Sequence, residues 1–211
     1  MRFYLQAPGE ILIAAGVLFF AFMAYAYWGT VVRESAAQRT FDSESGGQRR
    51  GAGQHLAVLP GLDDLAFGHS FALIKIPAFG SQWQFAVVQG SGLPELALGP
   101  GHVPGTALPG EVGNFAVAGH RVSAGNPFWR LPSLRFGDMV YVETKTATYE
   151  YRLTGTPVWV DPNDTGMLAP VPGHPGERPS QRLMTLITCD PPLTGTRRVI
   201  ATGVLVRTRP R

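Results

Sequence analysis

The chain contains one cysteine, Cys189, at the end of an apolar and β-branched run that reads LMTLITC. A cysteine nucleophile reacts as the thiolate, whereas a free thiol with its usual pKa of about 8.5 is mostly protonated at neutral pH. The fold must therefore supply a base or a cation beside the sulfur if Cys189 is to react. The alternative is that Cys189 is a small buried apolar residue, which is a common fate of a free cysteine.

Five histidines are candidates for that base. His55 and His69 fall in or beside a polar segment that precedes the predicted domain, and His174 lies in a long loop. His102 and His120 belong to the body of the domain. We favour His120, because it ends the run GNFAVAGH at a turn, where a side chain can project over a groove. The alternative for either residue is a structural histidine bonded to the backbone.

Two arginines lie close to the cysteine in the sequence. Asp-Pro-Pro follows Cys189 directly, so the cysteine lies at the end of its strand, and Arg197 and Arg198 open the next apolar run after a short loop. A β-hairpin of this kind can bring a guanidinium beside the thiol, where it can stabilise a thiolate or an oxyanion. The alternative is that both arginines are solvated charges at a strand start, and we expect this for at least one.

The composition predicts the framework that positions these residues. Twenty-six glycines and eighteen prolines in 211 residues favour short strands separated by turns. Runs such as FALIKIP, WQFAVVQG and DMVYVETKT predict about eight strands. The Pro- and Gly-bracketed stretches LPELALGPG and NPFWRLPSL predict short connecting helices. Because many short strands must hide their edges, we predict an all-β fold that closes into a barrel.

Several classes of function are disfavoured. The net charge is only +3 and the basic residues are scattered, so the chain has no stripe for a nucleic-acid backbone. One cysteine and widely spaced histidines give none of the close spacings that zinc sites use. We therefore predict no metal and no cofactor.

The amino-terminal part of the chain predicts a membrane anchor. Residues 11–28 carry no charge, and an α-helix of eighteen residues is about 27 Å long, close to the hydrocarbon core of a bilayer. The alternative is a cleaved signal peptide, because Ala24-Tyr25-Ala26 resembles a cleavage site. Four arginines follow the span, so charge counting favours a cytoplasmic domain. The predicted division is a short cytoplasmic segment 1–10, an anchor 11–28, a flexible stalk 29–69, a catalytic domain 70–207 and a tail 208–211.

These motifs together resemble the sortase family of cysteine transpeptidases. TLITC, followed nine residues later by Arg198 and an apolar strand, and preceded by GNFAVAGHR, is similar to the family's active-site pattern. The resemblance covers Phe71 to about Val206, and the segment LALGPGHVPGTALPGEVGNFAVAGHR looks most like class E, with class D next. It points to Arg198 as the third active-site residue, with Arg197 in reserve.

The resemblance implies an eight-stranded β-barrel held outside the cell by a single-pass anchor, against the charge count. By similarity, Cys189 attacks the Thr-Gly bond of an LPxTG- or LAxTG-type sorting signal near the carboxyl terminus of a secreted protein. An amine then takes the acyl group, typically from a peptidoglycan precursor, and a pilin lysine is an alternative acceptor. His120 would act as general acid and base, and Arg198 would donate to the substrate carbonyl.

The resemblance also indicates substrate contacts. Thr188, beside the nucleophile, is either a substrate contact or only a strand residue. The Pro-rich segment Asp161 to Arg182 corresponds to the family's specificity loop, in which Met167, Leu168, Ala169 and Pro170 could line a pocket. Two other functions stay open, namely an anchored β-domain that binds a partner without catalysis and a cysteine protease that releases peptides by hydrolysis.

Overall fold

The computed structural model describes residues 15–21 and 67–211. Residues 15–21 are helical, and within these two ranges no helix has the length and apolar character that crossing a bilayer requires. The predicted segment 1–10 and most of the predicted anchor 11–28 and stalk 29–69 lie outside the described residues, so they stay predictions.

The described domain is built from nine strands and four short helices. The strands are β1 Ser70–Lys75, β2 Gln84–Gln89, β3 Gly101–His102, β4 Gly113–Ala118, β5 Met139–Glu143, β6 Ala147–Leu153, β7 Val158–Val160, β8 Arg182–Asp190 and β9 Arg197–Pro210. The helices are one α-helical turn, Leu93–Leu96, and three 3-10 turns, Pro77–Phe79, Leu131–Ser133 and Thr165–Leu168.

Eight of the strands close into a barrel. Their order is β6-β5-β1-β2-β3-β4-β8-β9, and β9 pairs again with β6, so both ends of the sheet are joined. Closure removes the free edges that short strands would otherwise expose. The predicted all-β fold with an eight-stranded barrel and short connecting helices is therefore confirmed.

The ninth strand, β7, lies outside the closed ring. β7 pairs with the first part of β9, from Arg198 to Ile200, and β6 pairs with the later part, from Gly203 to Pro210. The long strand β9 therefore pairs with both β7 and β6 along one edge and with β8 along the other.

The end of β9 differs from the sequence prediction. Residues 208–210, predicted to be a tail, continue the strand, because they pair with residues 147–149 of β6. The backbone of Arg211 also donates to the carbonyl oxygen of Thr146. The hydrogen-bonding partners that β6 provides keep the chain in the sheet to its last residues.

The core fills the inside of the barrel with aliphatic and aromatic side chains. The largest side chains that are fully buried are those of Tyr151, Phe115, Phe128, Ile74, Ile76, Leu131, Leu134, Leu153, Met184 and Leu186. The Tyr151 hydroxyl accepts a hydrogen bond of 2.8 Å from the Gly110 backbone N–H. Gly110 must be glycine there, because its φ is +83° and an added Cβ would lie 2.1 Å from the Tyr149 ring.

Candidate active site

Cys189 lies near the end of β8 and is partly exposed. In the antiparallel pair of β8 and β9, Cys189 is the register partner of Arg198, and Asp190 is the partner of Arg197. Directly opposed residues in such a pair point to the same face of the sheet. The structure therefore brings the thiol and the Arg198 guanidinium to one face and directs Arg197 to the other.

The loop between β8 and β9 folds back over this pair. Gly195 has a φ of +59°, and a Cβ built on it would lie 3.7 Å from the Cys189 Sγ and 3.6 Å from the Arg198 Nη1. The same Arg198 Nη1 donates to the carbonyl oxygen of Gly195 over 2.7 Å. The sulfur and the guanidinium thus face a common point beneath Gly195.

His120 follows the end of β4, the parallel neighbour of β8. The last register pair is Ala118 with Ile187, and the Gly119 N–H still donates to the Ile187 carbonyl oxygen over 3.0 Å. Continuing this register by two more residues on each strand would place His120 beside Cys189, at the interstrand spacing of about 4.8 Å. Burial lowers the pKa of His120 below its ordinary value of 6.5. The imidazole is therefore neutral at pH 7 and can accept a proton.

The strand ends are tied together by the residues beside the two reactive groups. The Thr188 hydroxyl is buried and donates over 2.8 Å to the carbonyl oxygen of Gly119. A Cβ on Gly119 would lie 2.6 Å from the Phe128 ring, and the Phe128 N–H donates to the His120 carbonyl oxygen. The turn that carries His120 is thus packed against the core on one side and bonded to β8 on the other.

His102, the other histidine of the domain body, has a structural environment. It is fully buried, and its ring nitrogens lie 2.7 Å from the Gln89 Oε1, 3.0 Å from the Thr106 Oγ1 and 3.1 Å from the Ala107 carbonyl oxygen. Burial also lowers the pKa of His102 below 6.5. Both ring nitrogens are bonded within the core, whereas His120 follows the end of β4, the parallel neighbour of the strand that carries Cys189.

The segment predicted to line a substrate pocket is held against the barrel by its backbone. Met167, Leu168 and Ala169 are half-buried in and after the 3-10 turn Thr165–Leu168, and Pro170 is exposed. The buried amide of Asn114 on β4 donates to the carbonyl oxygens of Met167 and Ala169 over 3.0 and 3.1 Å. The four predicted side chains therefore lie on a loop anchored to the outer face of β4, and their contact with substrate stays a prediction.

The sequence analysis missed two features of this region. The first is the cluster that Asp190 forms with Arg121, Arg197 and Trp159 directly after the cysteine. The sequence could have indicated this cluster, because Asp190 directly follows Cys189 and Arg121 directly follows His120. The second is a cavity of about 430 Å³ beside the segment after His120, and its lining residues are Phe79, Trp83, Phe85, Val122, Gly125, Asn126, Pro127, Trp129 and Arg130.

Comparison with known proteins identifies the class to which this barrel and its thiol belong. Residues 74–206, most of the chain, match the sortase domain family. The chain therefore belongs to the sortase family, whose members are cysteine transpeptidases, and the predicted family is confirmed.

The similarity extends to one class within the family. The chain is 33% identical to sortase SrtE1 of Streptomyces coelicolor over 98% of its own length, and it spans 58% of that relative. The structure of sortase E from Streptomyces avermitilis is 38% identical, with a TM-score of 0.62, over 69% of this chain and 93% of the other. Sortase E1 of S. coelicolor with a tripeptide in its active site is 34% identical, with a TM-score of 0.62, over 68% of this chain and 92% of the other. The resemblance to class E is thus confirmed.

Proposed function

We propose that this chain is an anchored class E sortase that cleaves an LPxTG- or LAxTG-type sorting signal between Thr and Gly and transfers the acyl group to an amine. The observation that carries the proposal is the pairing of Cys189 with Arg198 across β8 and β9, next to the strand end that bears His120. A relative with a tripeptide in its active site supports a peptide substrate.

The proposed reaction assigns one role to each group. The Cys189 sulfur attacks the Thr carbonyl carbon while neutral His120 takes the thiol proton. Arg198 donates hydrogen bonds to the carbonyl oxygen as it gains negative charge. The C–N bond then breaks, His120 gives its proton to the departing Gly amine, and a thioester remains. An incoming amine attacks the thioester, His120 takes the proton that the amine loses, and the sulfur is released.

We also propose where the enzyme acts, which proteins are its substrates and which amine is its acceptor. Residues 11–28 would anchor it in the cell membrane with the domain outside the cell. Its clients would be secreted proteins with carboxyl-terminal sorting signals, and the acceptor would be the amine of a peptidoglycan precursor. Residues 167–170 would contact the signal, whereas Thr188, which is buried and bonded to the Gly119 carbonyl oxygen, would support the site from within the protein. The product would be a surface protein fixed covalently to the cell wall.

A transfer assay tests the proposal. Labelled peptides with Pro or Ala at the second motif position are incubated with the full-length chain, with and without an amine acceptor. We expect cleavage between Thr and Gly and a product that contains the acceptor. Free acid alone, even at high acceptor concentration, would instead indicate a hydrolytic protease, and no cleavage of either peptide would refute the proposal.

Variants assign the chemistry to residues. Cys189→Ala and His120→Ala should abolish product, and Arg198→Gln should lower kcat by about 10²- to 10³-fold, the usual cost of removing an oxyanion donor. The matched controls are His69→Ala, at a histidine before β1, and Arg207→Ala, at an exposed arginine on the same strand as Arg198. Both controls should retain wild-type transfer.

A further inference from the structure

The carboxylate of Asp190 collects donors from three separate elements. Arg121, after β4, donates to Oδ1. The Trp159 indole on β7 donates to Oδ2 over 3.0 Å, and the Arg197 guanidinium on β9 donates to the same oxygen over 3.2 Å. Only 13% of the Asp190 side chain is exposed. A carboxylate so far removed from water is stabilised mainly by these donors, so its loss would affect all three elements.

Arg121 depends on this carboxylate in turn. Its side chain is 14% exposed, and its Nε is buried without a hydrogen-bond partner among the described residues. Its guanidinium lies over the Trp129 ring, 5.7 Å from the centroid. Asp190 is therefore the anion that compensates a largely buried charge, and the ion pair has a defined geometry because Trp129 holds the other side of the guanidinium.

The two partners are the residues immediately after the predicted nucleophile and the predicted base. Asp190 follows Cys189 at the end of β8, and Arg121 follows His120 after β4. Thr188 and Gly119, on the other side of the same two residues, are also hydrogen-bonded to each other. The strand ends that carry the sulfur and the imidazole are thus joined on both sides, once by a neutral hydrogen bond and once by an ion pair.

We propose that Asp190 is a positioning residue, whose ion pair with Arg121 fixes the separation of Cys189 and His120 and offsets positive charge beside the thiol. The inference rests on the proposed function, because it assigns a role within the same site. The charged and titratable groups that flank Cys189 along the paired strands are Asp190 on β8, Arg197 and Arg198 on β9, and His120 and Arg121 after β4. Arg198 shares the face of the sulfur, whereas Arg197 lies on the other face. Asp190 is the one carboxylate among these residues, so its removal takes the negative charge from a group that holds three guanidiniums.

This arrangement predicts opposite electrostatic effects for the two partners. Asp190→Asn leaves the neighbouring guanidiniums without their counter-charge, which favours the thiolate. Arg121→Gln leaves the carboxylate with one cation fewer, which disfavours the thiolate. Both substitutions loosen the two strand ends, so both should lower kcat. KM for a sorting peptide should change little, because neither residue belongs to the segment 161–182 that is predicted to contact the peptide.

The test uses two measurements on the full-length chain. The first is the rate of Cys189 alkylation by iodoacetamide as a function of pH, which needs no sorting peptide. The second is kcat and KM for peptide transfer. The variants are Asp190→Asn, Arg121→Gln, the double variant and the charge-conserving Arg121→Lys. The matched control is Glu150→Gln, which breaks the ion pair of a similarly buried carboxylate with Arg209 elsewhere on the barrel.

We expect the alkylation midpoint to move to lower pH in Asp190→Asn and to higher pH in Arg121→Gln. Each single variant should lose about tenfold or more in kcat, as small displacements of reacting groups usually cost. The double variant should lose no more than either single one, because the two residues act as a unit. Arg121→Lys should keep the wild-type midpoint, and Glu150→Gln should change stability but neither midpoint nor kcat.

Three results would overturn the inference. They are wild-type kcat in both single variants, alkylation midpoints that stay fixed or move in the same direction, and an equal loss of kcat in Glu150→Gln. If Asp190→Asn does not fold, the inference is tested by the alkylation midpoints of Arg121→Gln and Arg121→Lys, each compared with that of the wild type. If the wild-type chain transfers no peptide, the proposed function fails, and the alkylation midpoints still decide the role of Asp190.

Discussion

At the scale of residues, the partial exposure of Cys189 distinguishes it from a core thiol. A small apolar residue inside the barrel would be sealed, as Val199 and Leu186 are on the same pair of strands. Cys189 instead shares a face with Arg198, and Gly195 leaves the space above the sulfur free of a side chain. The register therefore favours a reactive role over a packing role, and it favours Arg198 over Arg197 as the partner.

Thr188 shows how a residue beside a nucleophile can have a structural role. Its hydroxyl donates to the Gly119 carbonyl oxygen within the protein. Replacing it with valine leaves that buried acceptor without a donor, so we expect Thr188→Val to lower the free energy of unfolding by about 1–3 kcal/mol. Denaturant unfolding measures this loss. Thr188→Ser is the control and should stay within about 1 kcal/mol of wild type, since it keeps the hydroxyl but loses one buried methyl group. Wild-type stability of Thr188→Val would contradict the structural role.

The imidazoles of His102, which is buried, and of His120, which is half-buried, predict how stability depends on pH. Burial lowers the pKa of His102 and of His120 in the folded state below the unfolded value of 6.5. Below pH 6.5 the unfolded chain therefore binds more protons than the folded one, and the free energy of unfolding falls as the pH drops. Urea unfolding between about pH 7.5 and 5.5 measures the fall. A urea midpoint that stays constant or rises as the pH falls through this range would contradict the prediction.

Sequence reasoning at this scale worked where neighbours along the chain define a residue's surroundings. The turn after His120 and the break after Cys189 are both local, and both were predictable. The cluster around Asp190 was not, because Trp159, Arg121 and Arg197 reach the carboxylate from three elements whose pairing only the fold defines.

At the scale of elements, the parallel pairing of β4 and β8 is what unites the site. These strands lie about seventy residues apart in the sequence but run side by side from Gly113 with Arg182 to Ala118 with Ile187. Parallel neighbours end at the same edge of a sheet, so the residues that follow them meet there. The reactive groups thus come together because His120 follows the end of β4 and Cys189 lies near the end of its parallel neighbour β8.

The loop before β8 gives a prediction about substrate affinity. Asn114 holds the backbone of Met167 and Ala169 and also accepts from the Thr185 hydroxyl over 2.8 Å. In Asn114→Ala the loop should loosen, so we expect KM for the sorting peptide to rise about tenfold while kcat changes little.

The control for Asn114→Ala is Asn163→Ala, at an exposed position earlier in the same loop. This variant should keep the wild-type KM. Peptide-transfer kinetics distinguish the two. An unchanged KM in Asn114→Ala would show that the loop needs no anchoring to β4, and a fall in kcat alone would place Asn114 with the reacting groups instead.

Strand prediction succeeded for long runs and failed for short ones. The runs that became β1, β2, β4, β5, β8 and β9 were all predicted, because each alternates or is continuously apolar. β3 spans only Gly101–His102, within a Gly- and Pro-rich loop, and exists because its neighbours β2 and β4 supply hydrogen bonds. The run TYEYRLTGTPVWV contains two strands, β6 and β7, which the Thr-Gly-Thr-Pro turn separates.

At the scale of the whole molecule, closure of the barrel depends on the last strand. β9 pairs with β8 over its first half and with β6 from Gly203 onward, so it joins the two ends of the sheet. The sequence predicted a closed barrel from strand number and edge protection. The length of β9 could not be predicted, because Arg207, Thr208 and Arg209 are exposed polar residues that only the partner strand fixes in the sheet.

Truncation tests the contribution of this closing strand. Deleting residues 208–211 removes the pairing with residues 147–149 and the ion pairs of Arg209 with Glu150 and of Arg211 with Glu143. We expect a lower thermal unfolding midpoint than that of the wild type, because the end of β6 becomes a free edge. The control replaces residues 208 and 209 with alanine, which keeps the backbone pairing and should cost less. Equal midpoints for the wild type and the truncated chain would show that closure ends before residue 208.

Mass spectrometry of the digested protein tests the central claim, that Cys189 is the nucleophile of a site completed by His120 and Arg198. The full-length chain is mixed with a sorting peptide in the absence of amine and then digested. We predict an acyl adduct ending at Thr on the peptide that contains Cys189, and we predict its disappearance when an amine is added. Cleavage of the sorting peptide by the Cys189→Ala variant, or cleavage by the wild type with no adduct on Cys189, would contradict the account.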